Sequence, residues 1–170
     1  IFKFKVKNML KKRMYIVIEN TKRELDAKVY LAIVAARNNW SVIICNKSNF
    51  LKQIKNFRKG IVFLKSIGHR NIDLIQKGKQ LGFVFVSTDE EGINFFSEKR
   101  LILRMNRQNY NELDCFFSWG KKDSEIINKY FPEKKDKNFI VGNPRIDVIK
   151  YPLNKKYYEK AKEIQDKFGK

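Results

Sequence analysis

The chain is poor in cysteine, histidine, proline and negative charge. Of 170 residues, 2 are Cys, 1 is His and 3 are Pro. Cys45 and Cys115 are too few for a disulfide framework. Each sits in an apolar run, which predicts buried free thiols in a reducing compartment. The lone His69 rules out a multi-histidine metal centre, and no metal-ligand constellation of other residues replaces it. With so little proline and only 8 Gly, there is no Pro/Gly/Ser linker and no low-complexity tract. No apolar run approaches the ~20 residues needed to span a bilayer. The opening IFKFKVKNMLKKR is basic and amphipathic but has neither a continuous apolar core nor a small-residue cleavage site, so it does not read as a signal peptide. The chain opens at Ile1 rather than Met, which leaves an earlier start open. There is no GxGxxG, no Walker loop and no Ser or Cys nucleophile motif. These absences argue against a nicotinamide oxidoreductase or a P-loop NTPase, and no cofactor or metal is implied.

What is present is a core and an excess of cations. Hydrophobic residues make up 43% and aromatics 14%, enough for one packed domain. Lys and Arg number 37 against 18 Asp and Glu, a formal net charge of +19. Such a charge concentrates anions: lipid headgroups, nucleotide phosphates or nucleic acid. It is equally what AT-rich coding gives, since Lys, Asn and Ile are abundant. The lysines are spread along the chain and no nucleic-acid-binding signature occurs, which argues against nucleic acid and leaves an anionic membrane surface as the partner to consider.

Short β-branched and aromatic runs alternate with helical patterns. RMYIVIE (13–19), SVIIC (41–45), GIVFLKS (60–66), FVFVST (83–88), LDCFFSWG (113–120) and NFIVGNP (138–144) read as strands. Between them, 21–39, 46–57, 71–82 and 123–131 read as helices. In the first, Thr21 and Glu24 have capping-box spacing, and Leu25, Val29, Ala32 and Ala36 form the expected inward stripe. The stretch 92–111 is too apolar for a simple loop and predicts short helices or a covering flap. Residues 154–170 read as a basic helix. Strands apolar on both faces and separated by helices predict an α/β fold: a doubly wound, mainly parallel sheet of about six strands with helices on both faces.

In such a sheet ligands bind beyond the carboxyl ends of the strands. The residues there include Glu19, Lys22, Arg23 and Glu24; His69 and Arg70; Asp89, Glu90 and Glu91; and Gly142, Asn143, Pro144 and Arg145. STDEEG places three carboxylates where a buried strand ends, in a chain with few to spare. They form either a solvated turn or a set of acids in unlike environments that divide acid and base roles. His69 offers a base or a phosphate contact. Gly142 permits a sharp turn, Pro144 stops the strand, and Arg145 can hold a carboxylate or phosphate in two-point fashion, or lock the turn with an Asp.

IVIENTKRELDAKVYLAIVAARNNWSVIICNK, GIVFLKSIG, VSTDEEG, FFSWGKKDSEII and FIVGNPRID, in that order, resemble the bacterial surface carbohydrate biosynthesis proteins, GT-B-like glycosyltransferases of envelope polysaccharide synthesis. The GNPRID turn is also similar to the turn closing the first domain of UDP-N-acetylglucosamine 2-epimerases and glycerophosphate-polymer transferases. The resemblance implies a Rossmann-like acceptor-side domain over 1–150. Residues 151–170 would be a connector to, or the start of, a missing second domain that holds the nucleotide-sugar donor. It implies a glycan or lipid-linked acceptor, a cytoplasmic location peripheral to the inner face of the plasma membrane, and no transfer by this chain alone. In that frame Asp89, Glu90 and Glu91 supply the base and its electrostatic partners. Glu19, Lys22, Arg23 and Glu24 line the cleft, and 142–145 shape the interdomain turn. A different enzyme of the same architecture, or a non-catalytic module that holds a polyanion, is the alternative.

Overall fold

A computed structural model of the chain describes residues 12–91, 97–150 and 155–169. Six strands form one sheet: β1 (Lys12–Ile18), β2 (Trp40–Asn46), β3 (Ile61–Leu64), β4 (Val84–Thr88), β5 (Cys115–Ser118) and β6 (Asn138–Ile140). Every pairing is parallel and the order is β2-β1-β3-β4-β5-β6. Parallel neighbours need a crossover. It is supplied in turn by α1 (Thr21–Arg37), α2 (Lys47–Gln53), α3 (Ile72–Gln80), the pair α4 (Glu98–Arg104) and α5 (Arg107–Glu112), and α6 (Lys121–Tyr130). A short α7 (Pro144–Asp147) and α8 (Lys155–Phe168) follow β6. This is the expected doubly wound α/β architecture. The apolar stretch 92–111 resolves into α4 and α5, with 92–96 outside the described residues. The opening basic segment, 1–11, and residues 151–154 of the expected connector also lie outside them. Among the described residues no helix is long and apolar enough to cross a membrane.

Each strand sends alternate side chains to opposite faces. On one face Tyr15, Val17, Val62, Leu64, Phe85 and Phe116 meet Phe50 of α2, Leu74 and Ile75 of α3, Tyr110 of α5 and Ile127 of α6. Tyr15, Phe50, Phe57 and Phe83 interlock there, with ring centroids 5.1 to 6.0 Å apart. On the other face Ile16, Phe63 and Val86 pack under Leu31 and Ala32 of α1, with α7 beside α1. The layers are therefore unequal: α2, α3, α5 and α6 cover one face, α1 and α7 the other. The two cysteines are free but half-buried rather than fully buried. Burial pushes the Cys45 thiol up to about 11, so it is a poor nucleophile near neutrality.

Turn chemistry fixes where the helices stop. Gly82 ends the α3 segment at φ +81° and Gly142 follows β6 at φ +83°, a region that side chains with a Cβ avoid. Asn39, at φ 64°, turns the chain from α1 into β2.

The inward face of α1 differs from the expected stripe. Glu24, Ala27, Lys28 and Ala35 are buried, while Val29 is 39% and Ile33 52% exposed. The helix is rotated by about one position because two charged side chains, Glu24 and Lys28, find partners beneath it.

Candidate functional site

β1 connects to β2 on one side and the chain then returns to place β3 on the other. The two connections diverge at the carboxyl ends of β1 and β3, which opens a crevice at the switch point of the sheet. A cleft of about 700 Å³ lies there. Its walls are Glu19, Asn20 and Arg23 after β1, residues 65–71 after β3, and residues 89–91 after β4, closed by Leu103, Arg104 and Met105 from the end of α4.

The β1 side is an ion-pair network. The Lys65 ammonium bridges Glu19 at 3.0 Å and Glu24 at 3.1 Å, and Lys47 reaches Glu19 at 3.5 Å. Burial works to raise the Glu19 carboxyl, but Lys65 and Lys47 outweigh it and hold the group below the usual Glu range. Glu24 is 2% exposed. It accepts from the backbone N–H of Glu19 (3.0 Å) and Asn20 (2.9 Å). It therefore ties down the free N–H groups at the start of α1, with Asn20 rather than Thr21 as the N-cap. Glu24 is an anchor beneath the cleft and not part of its lining. Lys22 is exposed on the first turn of α1 and also lies outside the lining.

The three carboxylates after β4 have three different surroundings. Asp89 is 8% exposed, and its Oδ2 accepts from Arg104 Nη2 at 2.7 Å. Burial pushes its carboxyl above the usual Asp range, with Arg104 pulling the other way. Glu90 forms a buried ion pair with Lys28 of α1, whose ammonium also lies 4.4 Å from the Phe63 ring centroid. Burial lowers the Lys28 pKa from its usual value against the opposing pull of Glu90. Glu91 is exposed and lies 3.7 Å from Arg23. The turn is pinned through its backbone as well: the Glu90 N–H donates to the Lys65 carbonyl at 3.0 Å, and Arg104 donates to the Glu91 carbonyl at 2.9 Å. The run is thus neither a plain solvated turn nor three equivalent acids.

On the β3 side, His69 and Arg70 are exposed at the cleft mouth. The Asn106 amide lies 2.9 Å from His69 Nδ1. Asn109 donates to the carbonyls of Ile67 (3.2 Å) and Gly68 (2.8 Å) and so holds this loop against α5.

The turn 142–145 does not share the cleft. Gly142 and Pro144 line a separate, apolar groove of about 370 Å³ with Tyr30, Leu31, Phe117 and Val141. Asn143 caps α7 by accepting from the Arg145 N–H at 2.9 Å. The two segments still touch, since Arg145 Nη1 lies 3.5 Å from the Glu90 carbonyl.

Sequence reasoning passed over Lys65, Arg104 and Lys28. Lys65 directly follows β3 and falls inside GIVFLKS, which reads from sequence as strand rather than as rim. Arg104 lay in the irregular apolar stretch, and Lys28 was hidden in a helical pattern read from its apolar residues. Among the described residues there is no group of three or more His, Cys, Asp and Glu placed to hold a metal ion.

Chemically, the cleft offers a desolvated carboxyl beside a fixed guanidinium, a second solvated carboxylate, and amide, hydroxyl and ammonium groups. Comparison with protein-family models, with curated proteins and with solved structures returns no match for this chain.

Proposed function

We propose that this domain is the acceptor side of a glycosyltransferase of surface polysaccharide synthesis, acting at the inner face of the plasma membrane. The carrying observation is Asp89: a carboxyl raised by burial, oriented by Arg104, at the switch-point crevice of a parallel sheet. A base with a raised pKa takes a hydroxyl proton more effectively at neutral pH than an ordinary carboxylate. The acceptor hydroxyl would lie against Asp89, with Glu91 and Ser66 as hydrogen-bond partners, and the nucleotide-sugar donor would come from a second domain. The sequence segments resembling envelope glycosyltransferases support the same reading.

The test is nucleotide release from a panel of sugar nucleotides by the protein as its gene encodes it, with a glycan acceptor. Asp89→Asn lowers kcat by about 100-fold or more with acceptor KM little changed. If Asp89→Asn and Glu91→Gln each leave kcat within about threefold, roughly 0.7 kcal/mol of barrier, the base assignment is wrong.

One observation favours a second reading, a binding module without turnover: Glu19, Asp89, Glu90 and Glu91 each already have a cationic partner. Glycan binding undiminished by Asp89→Asn, without nucleotide release, would support it.

A further inference from the structure

The lysines are spread along the sequence, and the fold brings several cations from distant segments to one edge. In a parallel sheet all strands begin at one edge, so the segments leading into them share a rim opposite the cleft. Lys12 opens β1, Arg37 closes α1 ahead of β2, Arg58 and Lys59 precede β3, and Lys135 and Lys137 precede β6. All six are exposed. None forms an ion pair with a described residue. Of the four acidic groups near them two are engaged, Asp114 by Lys79 and the Phe85 N–H and Glu133 by Arg107. Glu112 and Asp136 form no ion pair with a described residue. At the cleft edge Arg23, Lys47, Lys65 and Arg104 each meet a carboxylate, while the exposed Lys22, Arg70 and Lys122 have no ion pair with a described residue.

We propose that this amino-terminal rim is a docking surface for an anionic lipid bilayer. Unpaired, exposed cations on one edge are drawn to a negative membrane surface at about fivefold in affinity per cation. One feature favours lipid over nucleic acid. Lys12 stands 5.6 Å from the Trp40 ring centroid at this rim, and tryptophan beside a cation suits the membrane–water boundary.

The geometry has a consequence for the cleft. β1 is 7 residues long, so the cleft would stand about 20 Å from the bilayer and face away from it. Taken together with the proposed glycosyl transfer, on which this one step rests, that height suits an acceptor carried on an extended glycan rather than a short headgroup.

The experiment is co-sedimentation of the purified protein with phosphatidylglycerol-containing vesicles and with pure phosphatidylcholine vesicles, at low and high salt. Binding is expected only to the anionic vesicles and to fade with salt. Arg58→Glu with Lys59→Glu weakens it by about tenfold or more. Lys121→Glu with Lys122→Glu, at the opposite edge, weakens it less than about threefold. Both pairs lie at exposed positions, and an unchanged melting temperature confirms that the variants fold. Equal loss from the two pairs, equal binding to neutral vesicles, or tighter binding to an RNA than to the vesicles at equal salt overturns the proposal. None of these outcomes depends on enzymatic activity.

Discussion

Lys28 of α1 and Glu90 of the turn after β4 are 62 residues apart in sequence, and their side chains form a buried ion pair. They are 1% and 5% exposed. Through this pair the long helix on one face of the sheet holds the turn that carries Asp89 and Glu91 into the cleft.

Breaking the pair from one side leaves a buried charge unmatched. Lys28→Met is expected to destabilise the domain by about 3–5 kcal/mol, and Lys28→Met with Glu90→Leu to recover most of that loss. Urea denaturation of the two variants measures it. A single variant costing under about 1 kcal/mol, with no recovery in the double, shows that the pair does not fix the turn.

Asp89 titrates above the ordinary Asp range because it is buried, and Arg104 opposes that shift. Arg104→Gln should therefore raise it further. The sign for stability follows: between the ordinary and the raised value the folded chain holds a proton that the unfolded chain releases. Ionising Asp89 thus costs stability as pH rises through the folded value. Carboxyl NMR titration of the protein and of the Arg104→Gln variant reads both values. A titration of Asp89 at or below about 3.9 removes the basis for the raised carboxyl.

Glu19 behaves in the opposite sense. Its carboxyl lies below the usual range because Lys65 and Lys47 outweigh the effect of burial. It adds stability above the ordinary Glu value, and this is lost as pH falls through the lowered one. Lys65→Met should flatten that acid-side loss and also deprive the buried Glu24 of its cation. Stability measured at neutral pH and below about pH 4 compares the two proteins. Identical pH dependence would mean that Glu19 is not tuned by Lys65.

Two glycines should respond to alanine for different reasons. At Gly142 the backbone has φ +83° and no atom lies within 4 Å of an added Cβ. Gly142→Ala is thus expected to cost about 1–2 kcal/mol through backbone strain alone. At Gly78 an added Cβ would overlap the Phe85 ring, so Gly78→Ala costs about 1–3 kcal/mol by overpacking. Phe85→Leu should relieve part of the loss at Gly78 and none at Gly142. Relief at both sites, or at neither, contradicts this separation.

The sequence by itself determined the architecture. Strands buried on both faces need near-continuous apolar runs, and the helices between them need capped, periodic patterns; both are local properties of the chain. The helix ends at Gly82 and the turn at Gly142 were legible for the same reason, since only the backbone conformation of one residue is involved. The tertiary structure decided the charges. Whether Asp89, Glu90 or Glu91 faces solvent, a guanidinium or a buried ammonium depends on Arg104, Lys28 and Arg23, which arrive from other elements. It also decided the rotation of α1, where partners for Glu24 and Lys28 outweighed an apolar stripe. Finally, it separated 142–145 from 89–91 into two cavities, and brought six cations from distant parts of the sequence to one rim. Burial and pairing across the fold set the value of a charge, and no local window of residues contains them.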